Sequence, residues 1–167
     1  MSCNNNNSKM KVDYVIKRNG TKQEISFDKI LKRVKKLSEN LNVNPTRVTT
    51  EICSQIYPDV PTYQLDELGA QICASLATEH PDYAILAGNI TASNMQKNTC
   101  PSFTETMTKL YENKDMHGNK VNLISDETYK VICDHGPKLN TVIKYKRDFN
   151  LGFFSLKTLE KSYLFKI

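Results

Sequence analysis

A short cationic stretch near the N-terminus carries the residues best suited to chemistry. Lys17 and Arg18 stand directly before Asn19-Gly20, and Lys29 follows nine residues after Gly20. Asn-Gly favours a tight β-hairpin because both residues tolerate positive φ. The hairpin would hold its cations near a helix that begins at Asp28, where free backbone N–H groups attract anions. This pattern indicates either a polyphosphate-binding site or a basic hairpin that faces solvent.

The basic charge of the chain is concentrated in that stretch. The formal net charge is +5, and the segment from Tyr14 to Leu41 holds eight Lys/Arg against three Asp/Glu. The rest of the sequence is neutral, so the hairpin and the helix after it form the anion-attracting surface. Only Tyr14 and Phe27 offer aromatic stacking nearby, and we therefore predict no nucleic-acid partner.

Cysteine and histidine patterns indicate neither a metal site nor catalytic residues. No C-x-x-C occurs, and the three histidines pair with no cysteine at ligand spacing. The absence of a signal peptide and of a long apolar run predicts a reducing, cytoplasmic setting without membrane contact. The five cysteines are widely spaced: Cys3, Cys53, Cys73, Cys100 and Cys133. Cys53 and Cys73 lie in helical patterns and are predicted to be small core residues.

The first elements follow from turn and cap signals. Residues 1–13 are polar and are predicted to be a disordered tail. Two strands are expected at Tyr14–Lys17 and Gln23–Phe27, followed by a helix with Asp28 as its N-cap. An apolar face at helical spacing supports that helix: Ile30, Leu31, Val34, Leu37 and Leu41. Its other cations are predicted to form a solvated face: Lys32, Arg33, Lys35 and Lys36.

Three more helices complete the first unit. Asn44-Pro45 predicts the start of the second helix, and Thr62 is expected to be the N-cap of the third. Asp66 lies one turn into that third helix. His80-Pro81 opens the fourth, whose predicted core residues are Ile85, Leu86 and Ile90 and which carries Asn94 and Lys97 on one face. The fold class is therefore mostly α (α+β): a small β-hairpin covered by a four-helix bundle.

A second unit begins after Cys100-Pro101. Ser102 and Glu105 form a capping box, and a further helix is predicted from Ser125 to Cys133, with Gly136-Pro137 breaking it. Ser155 is expected to cap a last helix. The segment 145–167 holds more aromatic and aliphatic residues than its surroundings can bury, which indicates the start of a domain continuing beyond this chain.

The order of these motifs resembles a known family. VIKRNG and FDKI, then the Val-Pro-Thr62 and Leu-Asp66 pattern, then HPDYAILA at 80–87 look like the ATP-cone. This is the nucleotide-sensing domain at the N-terminus of the class I ribonucleotide reductase large subunit. KRDFNLGFFSLKTLEKSYL at 146–164 is similar to the beginning of that subunit's catalytic domain. The resemblance implies a cone at 14–103 and the first, truncated part of the catalytic domain, with its first barrel-domain helices, at 104–167.

The resemblance also implies an effector site. The family's cone binds ATP as activator and dATP as inhibitor, with magnesium, and Asp66 matches an aspartate that couples dATP to inhibition. Gln23 stands where the family usually has a glutamate, so one carboxylate contact is missing. The residues implied to bind the effector are Lys17, Arg18, Gln23, Ser26, Lys29, Thr62, Asp66, Asn94 and Lys97.

Partners follow from the same resemblance. A large-subunit homo-oligomer is expected, a dimer that assembles further with dATP, together with the small radical-generating subunit. The family's catalytic cysteines match none of the five here, so this chain should reduce nothing alone. Two alternatives are a freestanding cone that acts as a nucleotide sensor or transcriptional regulator, and a complete enzyme. The freestanding regulator usually carries a zinc ribbon, and the lack of a C-x-x-C motif disfavours this alternative.

Overall fold

The computed structural model describes residues 14–164, so the predicted tail at 1–13 lies outside the described residues. The fold is mostly helical with one small sheet, as the sequence predicted. The elements in chain order are β1 Tyr14–Ile16, β2 Lys22–Glu24, α1 Phe27–Leu37, α2 Pro45–Ser54, β3 Val60–Pro61, α3 Thr62–Leu76, α4 Asp82–Asn98, α5 Phe103–Tyr111, α6 Asp126–Val142, a 3-10 helix Tyr145–Asn150 and α7 Phe153–Ser162.

The sheet has three strands rather than the two of the predicted hairpin. Its order is β2-β1-β3, with β1 antiparallel to β2 and parallel to β3. Val60 pairs with Val15 in the β1–β3 register, which adds a strand between α2 and α3. Asp59 holds the entry to β3: it adopts a φ of 61°, its N–H donates to the Tyr14 carbonyl, and its carboxylate pairs with Lys22 at 2.8 Å.

The hairpin turn uses one residue of positive φ instead of two. The Gly20 N–H donates to the Lys17 carbonyl at 2.8 Å, and Gly20 alone of the Asn-Gly pair has positive φ, at 79°. Asn19 contributes through its side chain, whose Oδ1 accepts from the Thr21 N–H and hydroxyl. This is the Asx-type use of Asn that stabilises turns.

The core lies among the first four helices. Val48, Cys73 and Leu86 are almost fully buried, and Ile90 and Ala70 pack with them. The predicted cap at Asn44 is confirmed, since its Oδ1 accepts from the Arg47 N–H at 3.1 Å. Cys73 is the small core residue predicted, whereas Cys53 is only half-buried.

Several predicted helix ends and faces are wrong by about a residue or a turn. Ser26, not Asp28, is the N-cap of α1, and Pro61, not Thr62, is the N-cap of α3. Ile85 is 48% exposed because the core face of α4 runs through Leu86 and Ile90.

Helix α6 continues through Gly136-Pro137, which was expected to break it. Gly136 is buried against α5, where a Cβ would lie 2.6 Å from the Thr104 methyl carbon. The Asn140 side chain accepts from the Thr104 N–H and donates to the Thr104 hydroxyl. These tertiary contacts, with Pro137 on the exposed side, offset the backbone hydrogen bond that a proline removes.

The last segment packs on the cone-like unit rather than standing apart from it. Gln96 of α4 donates to the Tyr145 carbonyl at 2.9 Å and to the Asp148 carboxylate at 2.7 Å. Helix α7 begins at Phe153, with Gly152 as its N-cap instead of the predicted Ser155, and Phe153 packs against the core of α1–α4.

Candidate effector site

A cavity of about 420 Å³ lies between the hairpin, α1, α3 and α4. Eight of the nine residues proposed from the sequence line it, the exception being Asn94. The lining residues are Val15, Lys17, Arg18, Gln23, Glu24, Ile25, Ser26, Lys29, Ile30, Arg33, Val34, Leu37, Ile52, Thr62, Leu65, Asp66, Gly69, Ile90 and Lys97.

The parallel strand pair brings the first cations and Thr62 together. β1 ends at Ile16 and β3 ends at Pro61, and these two residues are register partners. Lys17 and Thr62 therefore leave the sheet at the same edge, where carboxyl ends of parallel strands commonly carry ligands. Thr62 is the first residue of α3, so the free N–H groups of that helix's first turn also lie at this edge.

The cavity is apolar at its floor and cationic at its walls. Side chains of Val34, Ile52 and Ile90 belong to the core and form part of the floor. Gly69 also lines the cavity and lets the Ile52 side chain pack closely, because a Cβ there would lie 3.0 Å from the Ile52 Cδ1 atom. An apolar floor suits a flat heterocycle, and cations suit a polyphosphate.

Asp66 is the charged centre of the site. Its side chain is only 10% exposed, and Arg33 holds it through two hydrogen bonds, one from Nε and one from Nη2, the latter at 2.9 Å. Arg18 Nη2 lies 3.5 Å and Lys97 Nζ 3.8 Å from the Asp66 Oδ2 atom. A buried carboxylate requires such partners, because charge taken out of water is otherwise costly.

Arg33 corrects the prediction of a solvated helix face. Its guanidinium turns inward to Asp66 and also reaches the Ser93 hydroxyl. The sequence held a usable signal, since Arg33 occupies the i+3 position from Ile30 on the apolar stripe that includes Leu37. Lys32, Lys35 and Lys36 are exposed, as predicted.

Two cations of the cavity remain available to a ligand. Lys17 and Lys29 have no carboxylate within ion-pair distance among residues 14–164. Gln23 lines the cavity beside Glu24. Like Arg33, Glu24 was not among the site residues proposed from the sequence. Ser26 also faces it, and its hydroxyl makes no capping hydrogen bond to α1.

Lys97 carries a lowered pKa. Partial burial disfavours its ammonium, and repulsion from Arg33 and Arg18 acts in the same direction. The attraction of Asp66 opposes the shift without cancelling it. Lys97 thus lies in an electropositive setting that an added anion would relieve.

Asn94 lies behind Arg18 rather than on the cavity wall. Its Oδ1 accepts from Arg18 Nη2, and its Nδ2 donates to the Tyr63 carbonyl at 3.0 Å. Asn98, which sequence reasoning did not single out, accepts from Arg18 Nε at 2.7 Å.

Metal ligands, a thiol and membrane spans were also considered in the described part of the chain. Residues 14–164 contain no group of three His, Cys, Asp or Glu side chains that could hold a metal ion. Burial raises the pKa of Cys73 to about 12, so its thiolate is disfavoured at neutral pH. No helix within the described residues is long and apolar enough to cross a bilayer.

Comparison with known families agrees with this geometry. Residues 13–98 match the family described as the ATP cone domain, which spans the hairpin, all four helices and the cavity. The chain belongs to the ATP-cone family. The resemblance drawn from the sequence is confirmed, and the matched cone ends at the last residue of α4, where Asn98 contacts Arg18. The predicted limits of 14–103 and 104–167 stay predictions.

The similarity extends beyond the cone to nearly the whole chain. The ribonucleoside-diphosphate reductase large subunit of Plasmodium falciparum (isolate Dd2) is 47% identical over 156 residues, covering 92% of this chain and 19% of that protein. The large subunit of Dictyostelium discoideum is 45% identical over 170 residues, covering 98% and 19%. That of Vaccinia virus (strain Copenhagen) is 44% identical over 158 residues, covering 92% and 20%. The chain thus spans about a fifth of its relatives' length and is homologous to their N-terminal part.

Proposed function

We propose that the cavity binds ATP or dATP as an allosteric effector of a ribonucleoside-diphosphate reductase large subunit. The base would lie on the apolar floor, and the triphosphate would meet the cations at the hairpin and α4. Lys17, Lys29 and Lys97 supply ammonium groups, and Thr62 adds a hydroxyl at the start of α3. Gln23 and Ser26 are proposed to contact the nucleotide as neutral polar groups.

The convergence of cationic side chains on one cavity is the observation that supports this proposal most. Five cationic side chains from three separate parts of the chain converge on a single cavity that has an apolar floor: Lys17, Arg18, Lys29, Arg33 and Lys97. Among residues 14–164, two carboxylates line the same cavity, Glu24 and Asp66, so this lining has a net positive charge. A solvated basic hairpin would not require this convergence, whereas a nucleoside triphosphate matches both the charge and the floor.

Magnesium enters the proposal with the nucleotide. Asp66 is occupied by Arg33, and Glu24 is the other carboxylate of the lining. A magnesium ion that accompanies ATP would therefore be held by the phosphates and by water, as is usual for this ion.

Activation by ATP and inhibition by dATP form the regulatory part of the proposal. The two ligands differ by one 2′-hydroxyl, and a site that hydrogen-bonds a hydroxyl can discriminate strongly against its absence. Opposite outcomes require the two ligands to favour different arrangements of the subunits, because equal binding shifts no equilibrium. Large-subunit oligomers and the small radical-generating subunit are the proposed partners, in the cytoplasm.

Reduction of ribonucleotides is proposed for a longer protein, and residues 104–167 are proposed as the first part of its catalytic domain. The exposed apolar side chains of α7 and of the two residues after it fit that assignment. Phe154 is 77% exposed, and Tyr163 and Leu164 are also exposed.

Calorimetric titration of the chain with ATP and with dATP tests the effector site. Binding in the micromolar range, about −8 kcal/mol, is expected. Lys17→Ala combined with Arg18→Ala should weaken it by about 100-fold or more, because two charge-assisted contacts to phosphate are lost.

Lys32→Ala combined with Lys35→Ala is the matched control. It removes the same charge from the neighbouring exposed face of α1, outside the cavity. Equal losses of nucleotide affinity in the two double variants would show that the nucleotide binds to a general basic surface and not to the cavity. If the unmodified chain bound neither nucleotide, the proposal would be overturned.

A further inference from the structure

The guanidinium of Arg18 is held by two side chains at the end of α4. Its Nε donates to the Asn98 Oδ1 atom at 2.7 Å. Its Nη2 donates to the Asn94 Oδ1 atom and lies 3.5 Å from Asp66. Asn94 and Asn98 are one helical turn apart and therefore share a face of α4.

The two asparagines are themselves anchored differently. Asn94 is half-buried, and its amide bridges two elements, since its Oδ1 accepts from Arg18 and its Nδ2 donates to the Tyr63 carbonyl. Asn98 is exposed and is the last residue of α4. Its removal should therefore affect Arg18 with little effect on the fold.

This arrangement leaves one edge of Arg18 open. A guanidinium has five N–H donors, and the contacts above occupy Nε and Nη2. The two hydrogens of Nη1 have no partner among residues 14–164. A free arginine side chain loses considerable rotamer entropy when it binds a phosphate, and prior fixation removes part of that cost.

We propose that Asn98, supported by Asn94, is a positioning residue that orients the Arg18 guanidinium for the triphosphate of the effector. The inference rests on the proposed function, because it takes the nucleotide as the ligand of Arg18. In this role Asn98 acts through its side-chain oxygen, which accepts from Arg18 Nε, and not as a ligand of the phosphates.

Asn98→Ala tests the role by titration with ATP and with inorganic tripolyphosphate. We expect the dissociation constants of both ligands to rise about three- to tenfold, because Arg18 acts on the phosphates and not on the base. Thr99→Ala is the matched control, since within the described part of the chain its hydroxyl bonds only to the carbonyls of Met95 and Gln96 at the same helix end. It should leave both affinities unchanged.

A double-mutant cycle with Arg18→Ala separates positioning from direct contact. If Asn98 acts through Arg18, then Asn98→Ala has no further effect once Arg18 is alanine. The same loss in both backgrounds would make Asn98 a ligand of its own, and no loss in either background would leave it without a role. Both results overturn the inference.

The Arg18 Nε–H resonance gives a readout that needs no ligand. In the ligand-free chain, Asn98→Ala should shift this signal and speed its exchange with water, whereas Thr99→Ala should not. An unchanged signal overturns the inference even if ATP binds normally. Failure of the unmodified chain to bind either phosphate ligand would instead reject the proposed function.

Discussion

Three cationic side chains compete for one carboxylate at Asp66. Arg33 holds it with two hydrogen bonds, while Arg18 and Lys97 stand farther off, at 3.5 and 3.8 Å. A triphosphate entering the cavity would compete with Asp66 for the more distant pair first. The bidentate Arg33 contact is the stronger, and we expect it to remain as the fixed part of the site.

The lowered pKa of Lys97 predicts how effector binding depends on pH. Burial lowers its pKa below the ordinary 10.5, so it loses its charge at a lower pH than other lysines. A bound polyphosphate favours the ammonium and raises that pKa, so binding takes up a proton at alkaline pH. We therefore expect the dissociation constant of ATP, measured by calorimetry, to increase as the pH rises from neutral toward 10.5, the ordinary pKa of a lysine.

Lys97→Arg supplies the comparison for that experiment. An arginine stays protonated throughout this range, so the variant should show a flatter pH profile. Calorimetry in two buffers of different ionisation enthalpy should detect proton uptake only in the unmodified chain. Parallel profiles in the two proteins would show that Lys97 is not the titrating group.

Eight of the nine residues proposed from the sequence line the cavity, but Arg33, which also lines it, was not among them. Lys17, Arg18 and Lys29 were visible because a turn and a helix start place them locally. A charged residue on a helix usually faces water, and this rule predicts a solvated Arg33. Its partner Asp66 is 33 positions away, and only the packing of α1 against the rest of the bundle brings the two together.

Helix α4 is the element on which both the core and the site depend. Leu86 is fully buried in it, and the adjacent Ile85 is 48% exposed. Leu86→Ala should lower the free energy of unfolding by about 2–5 kcal/mol, because it leaves a cavity in the core. Ile85→Ala should change it by about 0.5 kcal/mol or less.

Urea denaturation of the two variants checks this prediction. The comparison is matched, since both substitutions shorten an aliphatic side chain at neighbouring positions of one helix. Similar losses would mean that Ile85 is covered in solution, for example by another copy of the chain.

The elements that sequence reasoning missed depend on distant contacts. β3 has only two residues, Val60–Pro61, and its partner Val15 lies 45 positions earlier, so no local pattern reveals it. The continuation of α6 past Pro137 likewise depends on the Thr104 contacts of Gly136 and Asn140. The main helices were predictable because their apolar periodicity and caps are local.

At the scale of the whole molecule, the segment after the cone returns to pack on it. A Cβ at Gly88 of α4 would lie 2.9 Å from the Leu151 carbonyl oxygen, a backbone atom that cannot rotate away. Gly88→Ala should therefore displace the segment Tyr145–Ser162 from α4, at a cost of about 1–3 kcal/mol. Hydrogen exchange of that segment should show the loss of protection.

Gly152→Ala is the control for the interface. It adds the same methyl group to the docked segment, at a φ of −73° and with no atom within 4 Å of the new Cβ. Exchange in α7 should stay slow in this variant. Equal protection in both variants would show that the close approach at Gly88 does not hold the segment in place.

Gln96 and Lys97 are consecutive residues of α4 that face different neighbours, the 3-10 helix and the effector cavity. This shared helix imposes a rule of reciprocity. If a bound nucleotide changes the equilibrium constant for docking of Tyr145–Ser162 by some coupling factor, docking changes the nucleotide association constant by the same factor. A cone that ends after α4 and a cone that keeps its following segment therefore differ in nucleotide affinity whenever the coupling factor differs from one. An affinity measured on the shorter chain describes the longer one only when the coupling factor is one.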